Sequence, residues 1–119
     1  MNVLVVEPLQ KPYNKEIANT LDSLQSEVGG YIEALYPYDD PVALICDENG
    51  KISGKDLNRG LRGEDGKIYD VIAGKFLVVG LGLEDFDSLS PELSEKYEKL
   101  FHTPELFMLV GKEIIAFPA

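Results

Sequence analysis

The segment DENGKISGKDL, residues 47–57, has the residue types and spacing that come closest to a metal site. Its carboxylates, amide and hydroxyl are oxygen ligands of the kind that calcium prefers. When Gly50 is placed at the sharp turn of a calcium loop, however, the first ligand position falls on Ile45, which has no side-chain oxygen. The last falls on Asp56, which is shorter than the usual bidentate glutamate. The spacing therefore predicts no metal site, and Asn49-Gly50 is predicted to form a two-residue hairpin turn at positive φ.

Cys46 and His102 are the only cysteine and the only histidine. Such a pair could act as nucleophile and base even when the two residues are distant in sequence. Cys46 ends an apolar run, where a small buried residue is the usual role, and His102 follows a predicted helix whose negative end it could face. The sequence GLG at residues 80–82 lacks the third glycine of a dinucleotide-binding fingerprint. We therefore predict no enzyme and no cofactor, with an activity of Cys46 as an alternative.

Two further groups of residues could bind a ligand or a partner. Tyr31, Tyr36 and Tyr38 lie along one predicted strand and the turn after it, and tyrosines are common in recognition surfaces. They could equally pack over a sheet edge. In Asn58-Arg59, the planar guanidinium suits a phosphate or carboxylate ligand, although it could simply pair with a carboxylate of the chain. If these residues act together, the protein binds a small, nucleotide-like ligand.

The charge balance limits the possible partners. The chain has 11 basic and 21 acidic residues, a formal net charge of −10. Such a field repels nucleic acid and anionic membranes, so we predict neither as a direct partner, whereas a basic protein would be attracted. A solvated acidic surface with no partner is the simpler interpretation. The acidic residues before and along the second predicted helix form the candidate surface: Glu84, Asp85, Asp87, Glu92, Glu95 and Glu98. Lys96 and Lys99 lie beside them and dilute their charge.

Two helices are predicted to position these residues. Asn14 is predicted to cap a helix that runs to about Val28, with an apolar stripe at spacings of four, three and four and with Gly29 as its stop. The second helix is predicted to begin with Ser90 as its cap and Pro91 at its first position. Its buried stripe is predicted to consist of Leu93, Tyr97, Leu100 and Phe101. The segment KDLNRGL is predicted to form one helical turn.

Apolar or alternating runs predict strands in most of the remaining chain. The first, NVLVVEPL, is interpreted as a buried strand rather than a signal peptide, and ELFMLVGKEIIAFPA is strand material broken at Gly111. A length of 119 residues predicts a single domain, residues 1–119. The predicted fold class is α+β, with a mainly antiparallel sheet, two helices on one face of it and a short helical turn. With one cysteine and no apolar run long enough to span a membrane, we predict a cytoplasmic protein.

The sequence also resembles a known family. The run LDSLQSEVGGYIEALYPYDDPVALICDENGKISGKDLNRGL, followed by IYDVIAGKFLVVG, is similar to the bacterial and phage family called domain of unknown function 3846. The resemblance covers about residues 1–101 and rests on VGGYIE, NGK and LNR taken together. The family pattern falls on Gly29, Gly30, Tyr31, Asn49, Gly50, Asn58 and Arg59. It implies a protein carried by phages and integrative elements of Gram-positive bacteria, and it brings no established activity and no catalytic residues.

The residues and the resemblance lead to two functional hypotheses. The first is a non-enzymatic accessory protein of a mobile element that binds another protein, in its sharpest form an acidic mimic of nucleic acid that inhibits a defence system. The alternative is a small-ligand binding protein that uses Arg59 and the nearby tyrosines. Acids clustered on one surface would favour the first, and a concave pocket that contains Arg59 would favour the second.

Overall fold

A computed structural model describes residues 1–119, which form ten strands and two helices. The strands are β1 (Asn2–Val6), β2 (Tyr13–Glu16), β3 (Ile32–Leu35), β4 (Val42–Asp47), β5 (Leu57–Arg62), β6 (Ile68–Ala73), β7 (Phe76–Leu81), β8 (Phe86–Asp87), β9 (Glu105–Val110) and β10 (Glu113–Pro118). The helices are α1 (Leu21–Val28) and α2 (Pro91–Leu100). All strand pairs are antiparallel. The fold is therefore α+β with antiparallel sheets, as the sequence predicted.

A central sheet organises the molecule. Its strand order is β2-β1-β7-β4-β3, and the short strand β8 pairs with the end of β7. The strands β5 and β6 form a separate two-stranded ribbon, and β9 and β10 form another. The central strands β1, β4 and β7 carry apolar residues at almost every position because both of their faces are covered.

The two faces of this sheet have separate cores. On one face, Val5, Ile45 and Leu77 belong to a cluster that includes Leu24 and Val28 of α1. The other face forms a second cluster with Tyr97 of α2, the residue Phe101 that follows it, and the β5–β6 ribbon. The helices therefore lie on opposite faces, and the prediction that both lie on one face is wrong. The uninterrupted apolar runs of the central strands are the sequence signal of burial on two sides.

The first helix begins later in the chain than the sequence predicted. Residues 13–16 form β2, which pairs with β1, for example Leu4 with Asn14. The helix is capped instead by Thr20, whose side chain accepts a hydrogen bond from the Ser23 N–H at 3.1 Å. It ends at Gly29, which has a φ of 76°, as predicted. The apolar spacing that predicted the helix extends back to Ile17, directly after β2. Pairing with β1 makes the preceding residues an edge strand instead.

Two short-range predictions around Gly50 are also wrong. The segment predicted as a helical turn, KDLNRGL, contributes residues 57–61 to β5, whose register with β6 shifts between Leu57 and Arg59. Asn49-Gly50 does not join two paired strands, because β4 pairs with β3 and β7, and neither residue has a positive φ. Gly50 is required for space: an added Cβ would lie 2.7 Å from the carbonyl oxygen of Ala73.

The second helix and the C-terminal strands agree with the sequence pattern in most respects. Ser90 caps α2 and accepts a hydrogen bond from the Leu93 N–H at 3.2 Å, and Pro91 is its first residue. Leu100 is 56% exposed, so the predicted buried stripe is wrong at that position. The chain then turns at Gly111, whose φ is 63°, between β9 and β10.

Candidate functional site

Four acidic residues lie close together in sequence between the end of β7 and the first turn of α2: Glu84, Asp85, Asp87 and Glu92. We call them the acidic segment. A tight turn positions the first two, because the Gly82 N–H donates to the Asp85 carbonyl at 2.8 Å. The Asp85 carboxylate accepts the Phe86 N–H, and the Asp87 carboxylate accepts the Ser88 N–H, each at 2.7 Å. All four side chains are exposed, so the backbone fixes where two of these charges lie without neutralising them.

None of the four residues of the acidic segment has a cationic partner. Eight of the 11 Lys and Arg residues form ion pairs with carboxylates elsewhere: Lys15, Lys51, Lys55, Arg62, Lys67, Lys75, Lys96 and Lys99. Glu95 is paired with Lys99 at 3.0 Å, and Glu98 contacts the His102 ring at 2.9 Å. The structure therefore divides the six predicted acids into four uncompensated residues and two with partners.

Lys96, which the sequence placed beside the acids, points to another carboxylate. Its Nζ lies 2.5 Å from Asp40, which also accepts a hydrogen bond from the Tyr97 hydroxyl at 2.7 Å. The bond from Lys96, followed by the bond from Tyr97, lowers the pKa of the Asp40 carboxyl. Because Lys96 is held by Asp40, it offsets less of the negative charge of the candidate acidic surface.

An apolar side chain lies within the same turn. Leu83 is fully exposed, and Leu81 at the end of β7 is 38% exposed. Leu83 is the residue immediately before Glu84. Interfaces commonly combine an apolar anchor with a polar rim, so this turn presents both kinds of group that a protein surface can recognise. The sequence analysis missed Leu83, because an isolated leucine in a loop is not distinguishable from a core residue.

Arg59 is buried, and its guanidinium donates hydrogen bonds to main-chain and amide oxygens. Only 1% of the residue is exposed. Its Nε and Nη2 donate to the Phe101 carbonyl at 3.0 and 2.9 Å, and Nη2 also donates to the Gln10 carbonyl at 2.6 Å. Its Nη1 donates to the carbonyl and the side-chain oxygen of Asn58 at 3.5 and 2.9 Å. Because a guanidinium has five N–H groups, none is left for a ligand in this conformation, and no carboxylate pairs with it.

Asn58 supports Arg59 from inside the molecule. It is fully buried, and its amide nitrogen donates to the carbonyls of Val6 and Gly74, both at 2.9 Å. Its oxygen is the group that accepts from Arg59. The amide thus connects β1, the turn between β6 and β7, and β5.

The three candidate tyrosines have different environments. Tyr31 and Tyr36 are 69% and 61% exposed. Tyr38 packs on the core, with its ring centroid 5.0 Å from that of Tyr97 and 6.4 Å from that of Phe101. Burial raises the pKa of the Tyr38 hydroxyl to about 12. Tyr38 is therefore a packing residue beside the Phe101 that holds Arg59, whereas Tyr31 and Tyr36 are available at the surface.

The other residues considered for chemistry have structural partners. Burial raises the pKa of the Cys46 thiol to about 11, so very little thiolate exists at neutral pH. The thiol lies 3.7 Å from the Glu33 carbonyl oxygen, and His102 contacts Glu98, so Cys46 and His102 do not contact each other. Asp47 in the calcium-like segment is paired with Lys55 at 2.7 Å and accepts the Asn49 N–H at 2.9 Å.

A cleft that the sequence analysis missed contains three of the basic residues. It lies between the turn at Gly66 and β10, has a volume of about 500 Å³, and is lined by Arg62, Lys67 and Lys112 together with the apolar side chains of β10. Arg62 is paired with Glu105, and Lys67 lies 3.6 Å from Glu113, whereas Lys112 has no partner. The residues come together because the β9–β10 ribbon packs against the β5–β6 ribbon, so no local pattern could have indicated the cleft.

Comparisons with known proteins place most of the chain in one family. The family model described as "Domain of unknown function (DUF3846)" matches residues 1–102. The match ends before β9, so the β9–β10 ribbon lies outside it. No curated protein and no solved structure matches the chain. Neither helix is long and apolar enough to cross a membrane.

Proposed function

Since this chain belongs to the DUF3846 family, whose description names no activity, we propose a function from the surface of the chain itself. The protein is a non-enzymatic, cytoplasmic accessory protein of a phage or integrative element, and it acts by binding another protein through the acidic segment. In its sharpest form, the acidic segment occupies a basic groove that would otherwise hold nucleic acid, and so inhibits a defence system. The link to mobile elements comes from the family resemblance alone.

One observation carries this proposal: the acidic segment is free of cations in a chain whose cations are mostly paired. Its four carboxylates are exposed and none contacts a Lys or Arg side chain, while eight cations pair with carboxylates elsewhere. The uncompensated charge is therefore available to a basic partner, and it would increase the rate of encounter with one.

The fixed geometry of the segment favours binding over simple solubility. Asp85 and Asp87 each accept a backbone N–H, so these two carboxylates lose little further freedom when a partner binds. Leu83 adds an apolar contact at the same turn. A partner with a cationic surface around a small apolar depression would satisfy both features.

The experiment that tests the proposal is affinity capture from the native host, with mass spectrometry of bound proteins and small molecules, followed by competition. Two variants with the same net charge separate location from charge. The first replaces the acidic segment, E84Q/D85N/D87N/E92Q. The second replaces four exposed acids that also lack a cationic partner, E48Q/D56N/E64Q/D65N.

We expect the captured partner to bind wild type and the second variant, to lose affinity for the first variant, and to release wild type when duplex DNA is added. Equal binding of both variants would contradict a role of the acidic segment. Binding that DNA does not disturb would contradict only the mimic form of the proposal.

A second candidate function is supported by the cationic cleft. A small anion with an apolar part, such as a nucleotide-like molecule, would find Lys112 unpaired beside the apolar wall of β10. This cleft serves the ligand-binding alternative better than Arg59, whose donors are all occupied. Calorimetric titration with a panel of nucleotides would test it: saturable binding that K112E abolishes supports the candidate, and no heat with any nucleotide removes it.

A further inference from the structure

One face of the β9–β10 ribbon is apolar and uncovered. Cross-strand partners share a face, and the register pairs Met108 with Ile115 and Leu106 with Phe117. Val110 lies on the same face because side chains alternate along β9. These five residues, which we call the ribbon face, are 37% to 54% exposed. The opposite face of the ribbon packs on β5–β6, where an added Cβ on Gly60 would lie 3.3 Å from Phe107.

The apolar area of the ribbon face is close to what one standard interface requires. Five side chains at about half exposure present on the order of 450 Å² of apolar surface, at the size where a patch on a monomer is often functional. A standard interface buries about 800 Å² on each partner, and roughly 60% of it, or about 500 Å², is apolar. The ribbon face with its polar surroundings is therefore large enough for a stable dimer.

The chemistry of the face points to a copy of itself. In a chain that is 27% charged, Glu113 is the one charged residue on this side of the ribbon, and its carboxylate lies 3.6 Å from Lys67. A basic protein would find no other acid on this face, and the net charge of −10 repels a nucleic acid. A two-fold axis beside the central Met108–Ile115 pair would place that pair of one copy on the same pair of the other, which is the self-complementary arrangement of a dimer.

We propose that the ribbon face forms a two-fold homodimer interface. The contact is apolar, while the two chains each carry a net charge of −10 and repel one another. Salt screens that repulsion and leaves the apolar contact in place, so dimerisation strengthens as salt is added. Binding of a basic partner by the acidic segment weakens under the same change, which keeps the two proposals separate in experiment.

The two methionines allow a test on the unmodified protein. Met108 lies on the ribbon face, whereas Met1 packs against the core cluster that contains α1. With methyl-labelled methionine, NMR spectra recorded from micromolar to millimolar concentration should show the Met108 methyl signal shifting or broadening while the Met1 signal stays constant. Sedimentation over the same range should show the mass rising from 13.2 kDa to twice that value. A Met108 signal that does not change, together with a mass that stays at 13.2 kDa, would overturn the proposal.

Variants then locate the interface. M108T/I115T places β-branched threonine, which suits strands, at both positions and removes apolar area from the centre of the face. I52T changes an apolar residue that is 88% exposed outside the ribbon and serves as the control. We expect M108T/I115T to be monomeric with an unchanged circular dichroism spectrum, and I52T to dimerise like wild type. A dimer that persists in folded M108T/I115T would refute this interface. If M108T/I115T does not fold, the NMR result on the wild type decides.

Discussion

The guanidinium of Arg59 joins three parts of the chain that are distant in sequence. Its hydrogen bonds reach Gln10 in the loop after β1, Asn58 in β5 and Phe101 at the C-terminal end of α2. The Phe101 carbonyl belongs to the negative end of the helix dipole, so the cation is stabilised there without a carboxylate. Desolvation lowers the pKa of Arg59, but an arginine remains charged in proteins. The residue thus holds the second helix against the sheet and the first loop.

Replacing Arg59 should therefore lower the free energy of unfolding strongly. R59A removes five hydrogen bonds, leaves buried carbonyls without donors and creates a cavity, which together cost about 3 kcal/mol or more of unfolding free energy. The control is R62A on the same strand, whose side chain is 43% exposed and whose ion pair with Glu105 is worth about 1 kcal/mol or less. Urea titrations of both variants measure the difference. Similar losses in the two would show that Arg59 is not the structural connection described here.

Asp47 should make stability depend on pH. Its carboxylate is 5% exposed, and hydrogen bonds from Lys55 and then from the Asn49 N–H lower its pKa. Because the carboxyl has a lower pKa in the folded chain, its stabilisation is complete above the ordinary aspartate pKa of about 3.9 and is lost as pH falls through the folded value. Unfolding measured from pH 6 to pH 2 should show less acid dependence in D47N than in wild type. E48Q, which changes an exposed acid beside it, should behave as wild type, and equal slopes for D47N and wild type would contradict this account.

The roles of single residues could be predicted from the sequence only where the partner is local. Ser90 was identified as a cap because its partner is three residues away. Arg59 was expected to bind a ligand or a carboxylate, and its true partners are carbonyl oxygens, which every residue carries and which no sequence pattern distinguishes. The same limitation applies to Gly50, where the constraint is the Ala73 carbonyl rather than a positive φ.

At the level of elements, the caps define the helices more strongly than apolar periodicity does. Thr20 caps α1, although the apolar spacing extends back to Ile17. We expect T20A to cost about 1 kcal/mol of unfolding free energy, because the Ser23 N–H would lose its acceptor. The matched control is S26A, an exposed serine inside the helix, where alanine should be neutral or slightly stabilising. A T20A variant as stable as S26A would place the start of the helix elsewhere.

The strands divide into those that the sequence determines and those that tertiary pairing determines. The runs of β1, β4 and β7 are apolar at almost every position, and such runs predict strands. By contrast, all four residues of β2 are exposed, and β5 has a glycine and a register shift, so neither carries a strand pattern. The strand β2 forms because it pairs with the edge of β1, and β5 forms because it pairs with β6. Neither pairing is encoded in the local sequence of the segment.

At the scale of the whole molecule, net charge was readable from the sequence but its distribution was not. A value of −10 follows from composition, whereas the pairing of Lys96 with Asp40 joins residues 56 positions apart. Pairings of this kind leave the acidic segment uncompensated, whereas the ribbon face is almost without charge because its residues are apolar. The two surfaces follow opposite physical rules, since added salt weakens an ionic contact and favours an apolar contact between like-charged chains.

The central claim is that the acidic segment binds a basic partner, and the salt dependence of that binding tests it most directly. The dissociation constant of the captured partner would be measured for wild type, the acidic-segment variant E84Q/D85N/D87N/E92Q and the charge-matched variant E48Q/D56N/E64Q/D65N as salt is raised. The Debye length falls from about 10 Å at 0.1 M to about 3 Å at 1 M, so binding of wild type should weaken steeply. The charge-matched variant should follow wild type, and the acidic-segment variant should bind weakly at low salt with little further change. Identical salt curves for the two variants would contradict the claim.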